Sequence, residues 1–230
     1  MSEVAVRSCA FGAFGKMPGL GDFFRAGLPR AFVEPWDTWL QETIVALRET
    51  MGEAWQNAYL SAPIWRFTLS PGLMGPDAFL GVMMASIDRV GRQFPLTLGT
   101  PISGSISSIL DHTTATATFR ELEGIALGAL EDDMTRERLA AQLDRVAFDP
   151  PTSQTWVRFR PDTMVARDAG HFGPVPDIAA TMLHERFKQP SVWSADVPGG
   201  MRVMTCEGLP GPVQARGLID MGAPIWQDPS

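Results

Sequence analysis

The sequence predicts an α/β fold in which a mixed, partly antiparallel sheet carries helices on both faces. Three observations carry that prediction. Segments at 36–51, 119–129, 139–146 and 179–187 place apolar residues at helical spacing. Around them lie apolar runs of strand length, IWRFTL (64–69), AFLGVMMASI (78–87) and LTLGTPI (96–102). Finally, 22 glycines and 19 prolines in 230 residues supply more turns than a helical bundle needs. With 45% apolar and 20% charged residues the chain can bury a core, and its length suits one sizeable domain.

Val4 to Phe11 alternates loosely and stops at Gly12, so it reads as a strand feeding the loop FGKMPGLGDFF (14–24). Trp36, Leu40, Ile44, Leu47 and Met51 then form one stripe, with Glu42, Arg48 and Glu49 off it, which predicts a helix. Gly52 interrupts it, and a second short helix runs towards Leu60. The three apolar runs are linked by PGLMGPD (71–77) and DRVGRQFP (88–95), both rich in turn residues, and read as an antiparallel meander. Residues 105–149 are helical, with stripes at Phe119, Leu122, Ala126 and Ala129 and at Leu139, Leu143 and Val146; Thr135 suits the N-cap of the second.

DPPTSQT (149–155) reads as a linker between residues 1–149 and an extension, 150–230, that packs on the same domain. TWVRFR (155–160) reads as a short strand. Asp177 is placed to cap a helix with the stripe Ala179, Met182, Leu183, Arg186 and Phe187. SVWS, MRVMTC and PVQARGLI close the chain as short strands around GLPGP.

The formal net charge is −7. Residues 1–33 are net positive, while 34–62 and 111–149 are strongly negative. Acidic helices repel a polyanion, so nucleic acid is not the expected partner. Cys9 and Cys206 are far apart in sequence and read as two reduced, largely buried thiols; no Cys/His spacing suggests a metal site. The N-terminus lacks a signal pattern and the longest near-apolar run, AFLGVMMASI, is about half of a membrane span. A cytoplasmic protein without membrane insertion is expected.

The loop at 14–24 invites a phosphate-binding reading, which its spacing does not support. A P-loop needs Gly five residues before its Gly-Lys pair and a hydroxyl after it; here Ala10 and Met17 hold those positions. Pro18 removes one N–H that such a nest would use. Gly15, Gly19 and Gly21 also miss the dinucleotide spacing. The loop reads instead as a folded turn: Asp22 accepts backbone N–H bonds, Phe23 and Phe24 anchor it, and Lys16 is left exposed. No serine lies in a nucleophile elbow. His112 reads as part of a helix cap, His184 as a solvated helix residue, and His171 as a base or ligand whose one sequence neighbour is Asp168. No catalytic residue and no cofactor is assigned.

Recognition of a protein partner remains. Lys16, Arg25 and Arg30 come from the first segment, and Arg89 and Arg92 from the turn after AFLGVMMASI. If the first strand lies beside that hairpin, these cations share one sheet edge, where the arginine fork suits carboxylate or phosphate. Taken singly, Asp88 pairs with Arg89 inside their turn and Arg92 is solvated.

A set of motifs then narrows the reading: GKMPGLGDF (15–23) followed by LP (28–29), WDTWLQ (36–41), Trp55 and Tyr59 leading into LSAPIWRF (60–67), ASIDRVGRQFPLTL (85–98), PSVWSA, and CEGLP (206–210). In order and in kind they resemble the TagF/ImpM family of type VI secretion accessory proteins, from residue 12 to about 220. Residues 85–98 match its Ser-x-Asp-Arg-x-Gly-Arg-x-Phe-Pro-Leu segment. Met17 and Gly19–Leu20, and the single tryptophan of SVWSAD, depart from the family's pattern.

The resemblance implies a three-layer α/β/α sandwich. It also implies a non-enzymatic cytoplasmic regulator that represses secretion-machine assembly post-translationally, in connection with a forkhead-associated scaffold protein and a threonine-phosphorylation pathway. On that reading Lys16, Asp22, Asp88, Arg89 and Arg92 form the polar part of a partner-binding surface, supported by Trp65 and Phe94. The rivals are a hydrolase or phosphate-ester enzyme in which His171 gathers with Asp22 and Asp88 in one pocket, and a structural subunit of the machine.

Overall fold

The computed structural model describes residues 10–20, 22–131, 133–151, 156–160, 163–167 and 175–227. The chain opens with strands β1 (Gly12–Gly15) and β2 (Phe24–Ala26), then helices α1 (Arg30–Met51) and α2 (Trp55–Ser61). Strands β3 (Trp65–Leu69), β4 (Ala78–Met84) and β5 (Leu96–Ile102) follow, then α3 (Ser108–Thr114), α4 (Thr116–Gly128) and α5 (Arg136–Leu143). A separate hairpin, β6 (Trp156–Arg160) with β7 (Thr163–Arg167), precedes α6 (Val175–Arg186), β8 (Pro190–Val197), β9 (Gly200–Glu207) and α7 (Pro212–Ile219).

Seven strands form one sheet in the order β2-β1-β5-β4-β3-β8-β9. The meander over β3, β4 and β5 is as the sequence predicts, and the loop at 14–24 is the connection of a β1–β2 hairpin. The α/β layering is also as predicted. The sheet itself is antiparallel at each of its pairings rather than mixed. The reason is in the links: short returns join β1 to β2, β3 to β4 and β4 to β5, while the excursion through α1 and α2 sets β5 antiparallel beside β1 and the one through α3 to α6 brings β8 back antiparallel beside β3.

Alternation along each strand sends one set of side chains to each helix layer. On one face Phe14, Phe67, Phe79, Met83, Trp193 and Met204 meet α1, α2 and α7. Phe32, Phe79, Phe67, Trp36 and Trp193 stack there, with the Phe32 and Phe79 rings nearly parallel at 3.6 Å. On the other face Ala13, Leu80, Val82, Leu96 and Leu98 meet α4 and α5, and Ile109, Leu110, Ala180 and Val192 close the layer at α3 and α6.

Several local expectations change. The strand read at Val4–Phe11 falls mostly on residues outside those described; the observed strand begins at Gly12. PVQARGLI is a helix, because Pro212 occupies its first turn and Ala215 and Leu218 reach the core three residues apart. Helix α6 starts at Val175, so Asp177 lies in its first turn instead of capping it. Its inward residues are Ala180 and Leu183, and Met182 is exposed. Thr135 does cap α5, accepting the Arg138 N–H. Cys206 is a buried free thiol, which burial pushes up to about 11, whereas Cys9 lies outside the described residues.

Candidate functional site

Asp88 is the hub. It follows β4 in the link to β5, and both carboxylate oxygens are used. Oδ1 accepts the backbone N–H groups of Val90 (3.0 Å) and Arg92 (2.9 Å). Oδ2 accepts Lys16 Nζ at 2.8 Å and Arg92 Nε at 2.6 Å. Burial opposes ionisation of this carboxyl, but the bonds from Lys16, Arg92 and Val90 outweigh it and hold the group well below the usual carboxylate range. Gly91 takes φ +82°, which lets the turn double back so that its N–H reaches the Asp88 carbonyl.

Lys16 arrives from the other loop because Gly15 lets β1 run close to Pro95. A Cβ at Gly15 would stand 2.1 Å from the Pro95 carbonyl oxygen, and its φ of +130° also favours glycine. The lysine is buried, not exposed as the sequence reading has it, and Phe23 covers it with its ring centroid 4.7 Å from Nζ. Phe23 packs edge-on against buried Phe94 at 4.6 Å, and Phe94 does the same against Phe14 at 5.8 Å. The Arg89 N–H donates to the Leu20 carbonyl and joins the two loops at the backbone.

The predicted site residues thus separate. Lys16, Asp88, Arg92 and Phe94 meet in one junction, with Arg89 exposed beside it. The turn pairs Asp88 with Arg92 and not with Arg89, because Arg92 lies one turn ahead and also donates its backbone N–H. Asp22 accepts no N–H bond in its own loop among the described residues; it is 92% exposed and approaches Arg92 only at 3.6 Å. Trp65 is elsewhere: buried in the α7 layer, it donates to the Leu218 carbonyl and stacks on Trp226. Arg30 pairs with Glu34 on α1, away from the junction. His171 and Asp168 lie outside the described residues.

The sequence reading missed what holds the Asp88 loop to the helices. Tyr59, the single tyrosine, donates to the Ser86 carbonyl and accepts the Ser86 N–H. Burial raises its phenol above the usual range. Gln93 accepts from Trp55 Nε1 and Arg48 Nη2. A lone tyrosine four residues after a tryptophan on a helix face was the available signal. Val90 was missed too; it is 70% exposed at the loop tip, and Phe23 on the other loop is 47% exposed.

A second polar cluster lies under α3. Thr68 donates to the Ser108 carbonyl, so its oxygen can only accept from His112 Nδ1 at 3.3 Å. His112 Nε2 then accepts the Ser194 hydroxyl at 2.8 Å. Alongside, Arg66 holds Glu123 with two bonds, 2.7 and 2.9 Å, and Asp196 with one of 2.6 Å. His112 is therefore a buried link between α3 and the sheet instead of a helix cap. His184, read as solvated, lies 2.9 Å from Ser107, the α3 N-cap. Burial, aided by the Arg66 guanidinium, pushes His112 down to about 3. A Ser-His pair of this kind is neutral at pH 7 and closed to solvent, which suits a structural seam rather than a base awaiting substrate. Among the described residues no group of three or more His, Cys, Asp or Glu could hold a metal, and no helix is long and apolar enough to cross a membrane.

Comparison with known proteins agrees with the motifs that run through this site. The model of the TagF N-terminal domain, described as type VI secretion system-associated, matches residues 12–146, a span that includes both loops of the Asp88 junction. No curated protein matches. The crystal structure of PA0076 from Pseudomonas aeruginosa PAO1 is similar, with 31% identity and a TM-score of 0.75 over 92% of this chain and 94% of that one. The chain therefore belongs to the TagF family of type VI secretion system-associated proteins.

Proposed function

We propose that this chain is a non-catalytic cytoplasmic accessory protein that represses assembly of the type VI secretion machine by occupying a scaffold partner, the forkhead-associated protein of that system. The binding surface is the Asp88 junction. The observation that carries this reading is that Asp88 fixes two loops at once, while Arg89, Val90, Arg92 and Phe23 remain at its surface. A surface already ordered before binding loses little conformational entropy on docking. Its chemistry, two arginines around an apolar tip, suits an acidic patch with an apolar contact at its centre. Asp88 itself offers no spare lone pair for acid–base work on a substrate, since four donors occupy it.

The test is the double substitution Arg89→Ala with Arg92→Ala. Co-precipitation with the forkhead-associated protein should fall sharply and secretion should be derepressed; the melting temperature should drop by what the lost Arg92–Asp88 bond contributes, while Arg89→Ala alone leaves it close to that of the parent. Intact binding and intact repression in a folded double variant would remove the surface from the proposal.

A further inference from the structure

The two edges of the large sheet are unlike. One is β2, three residues long; the other is β9, eight residues long and paired on its outer side with no strand among the described residues. A short edge is a poor template for another strand and a long one is a good template. The β8–β9 hairpin sets Val197 opposite Gly200, across a two-residue turn. Alternation then directs the N–H and C=O groups of Gly200, Arg202, Met204 and Cys206 towards β8, and those of Met201, Val203 and Thr205 outward. The carbonyl of Pro190, opposite Glu207, fits this phase, because it points away from β9 and accepts the Ser70 N–H.

Side chains repeat the pattern. Met201 and Val203 share one face of the edge and are 52% and 56% exposed. Arg202 lies on the other face with Met204 and Cys206. Its Nε is buried and has no hydrogen-bond partner. No ion pair to Arg202 occurs among the described residues. A buried guanidinium nitrogen with nothing to donate to is an uncompensated desolvation.

We propose that β9 is a docking edge for an extended segment of a partner protein, which adds an eighth strand and brings a carboxylate to Arg202. Apolar residues at alternate positions of that segment would cover Met201 and Val203, while main-chain bonds to Met201, Val203 and Thr205 supply affinity. A second copy of this chain fits less well. Two β9 strands paired about a two-fold would set Arg202 against Met204, Cys206 or another Arg202. Glu207, the one acid of β9, is on the opposite face and already accepts the N–H groups of Lys188 and Gln189.

Random linear peptides displayed on phage, selected on the immobilised full chain, test this. Enriched peptides should alternate apolar residues and carry Asp or Glu at the intervening positions. A synthetic copy should slow amide exchange at Met201, Val203 and Thr205. Its affinity should drop about tenfold or more in Val203→Pro, which deletes one outward N–H and spares the β8–β9 ladder, and likewise in Arg202→Gln. Arg202→Gln carries the test if the proline variant does not fold. Arg89→Ala should leave peptide binding unchanged, which separates this edge from the Asp88 junction. The proposal is overturned by failure to enrich any peptide, by binding indifferent to both edge substitutions, or by a concentration-dependent dimer of the chain that Val203→Pro abolishes.

Discussion

The Asp88 junction and the His112 seam are built from similar materials. Each buries charged or polar side chains against the sheet and satisfies them through long-range bonds. They differ in what surrounds them. The seam is roofed by α3, and its hydroxyls and ring point at one another. The junction lies between two loops, and its buried ion pair supports exposed arginines and an apolar tip. On the function proposed above, buried polar chemistry alone does not mark a functional surface; what it holds in place at the solvent boundary does.

Substitutions sharpen the contrast, the largest effect coming from the seam. His112→Ala should cost about 3 kcal/mol, from the lost packing on Phe119 and the stranded Ser194 hydroxyl. Urea unfolding measures that loss, and partner affinity of the folded fraction should not move. A seam variant that stays stable but loses binding would break the comparison.

A pH experiment comes next. His112, pushed down from 6.5 to about 3, makes the fold lose stability as pH falls through that window, because only the unfolded chain takes up the proton. Its neighbour Asp111 acts in the other direction. Burial pushes its carboxyl from 3.8 up to about 6, against one hydrogen bond from Ser105, so its contribution is lost as pH rises from 4 to 6. In the parent the two slopes nearly cancel between about pH 4 and 6. In Asp111→Asn the histidine slope stands alone, and stability should fall by about 1.4 kcal/mol per pH unit on acidification. Denaturant midpoints across that range check it; a flat profile in the variant would contradict the seam's assignment.

At the junction, Arg89→Ala with Arg92→Ala should weaken partner binding by about 2 kcal/mol, readable by calorimetry, and should also lower folding stability, because Asp88 loses its bond from Arg92 Nε. The smallest effect is expected at Asp22. That side chain is almost fully exposed and 3.6 Å from Arg92, so Asp22→Ala should change stability by no more than about 0.5 kcal/mol in a thermal melt.

Where the sequence was readable, periodicity was strong and local. The α1 stripe at Trp36, Leu40, Ile44 and Leu47, the meander and the Thr135 cap depend on neighbours in the chain. Lys16 and Asp88 could be named from their motifs, but their pairing across 72 residues could not, and an isolated lysine in a glycine-rich loop reads as exposed. Arg92 rather than Arg89 pairs with Asp88 because the turn around Gly91 brings it back, a local geometry that depends on one positive φ. Trp65 looked like part of the site because it stands in the same motif series, yet strand alternation points it to α7. The His112 seam left no sequence signal: Thr68, His112 and Ser194 come from three distant elements. PVQARGLI, read as a strand, is a helix: its proline stands in the first turn, where a missing N–H costs nothing, and the segment is too short for periodicity to tell the two apart.

Hydrogen–deuterium exchange on the chain with and without the purified forkhead-associated protein tests the central claim most directly. The account predicts added protection at Asp22, Phe23 and residues 88–92, and unchanged exchange along α3 and at residues 66–70 and 192–194. Protection confined to α3, α7 or β9, with the Asp88 loop exchanging as in the free chain, would contradict it.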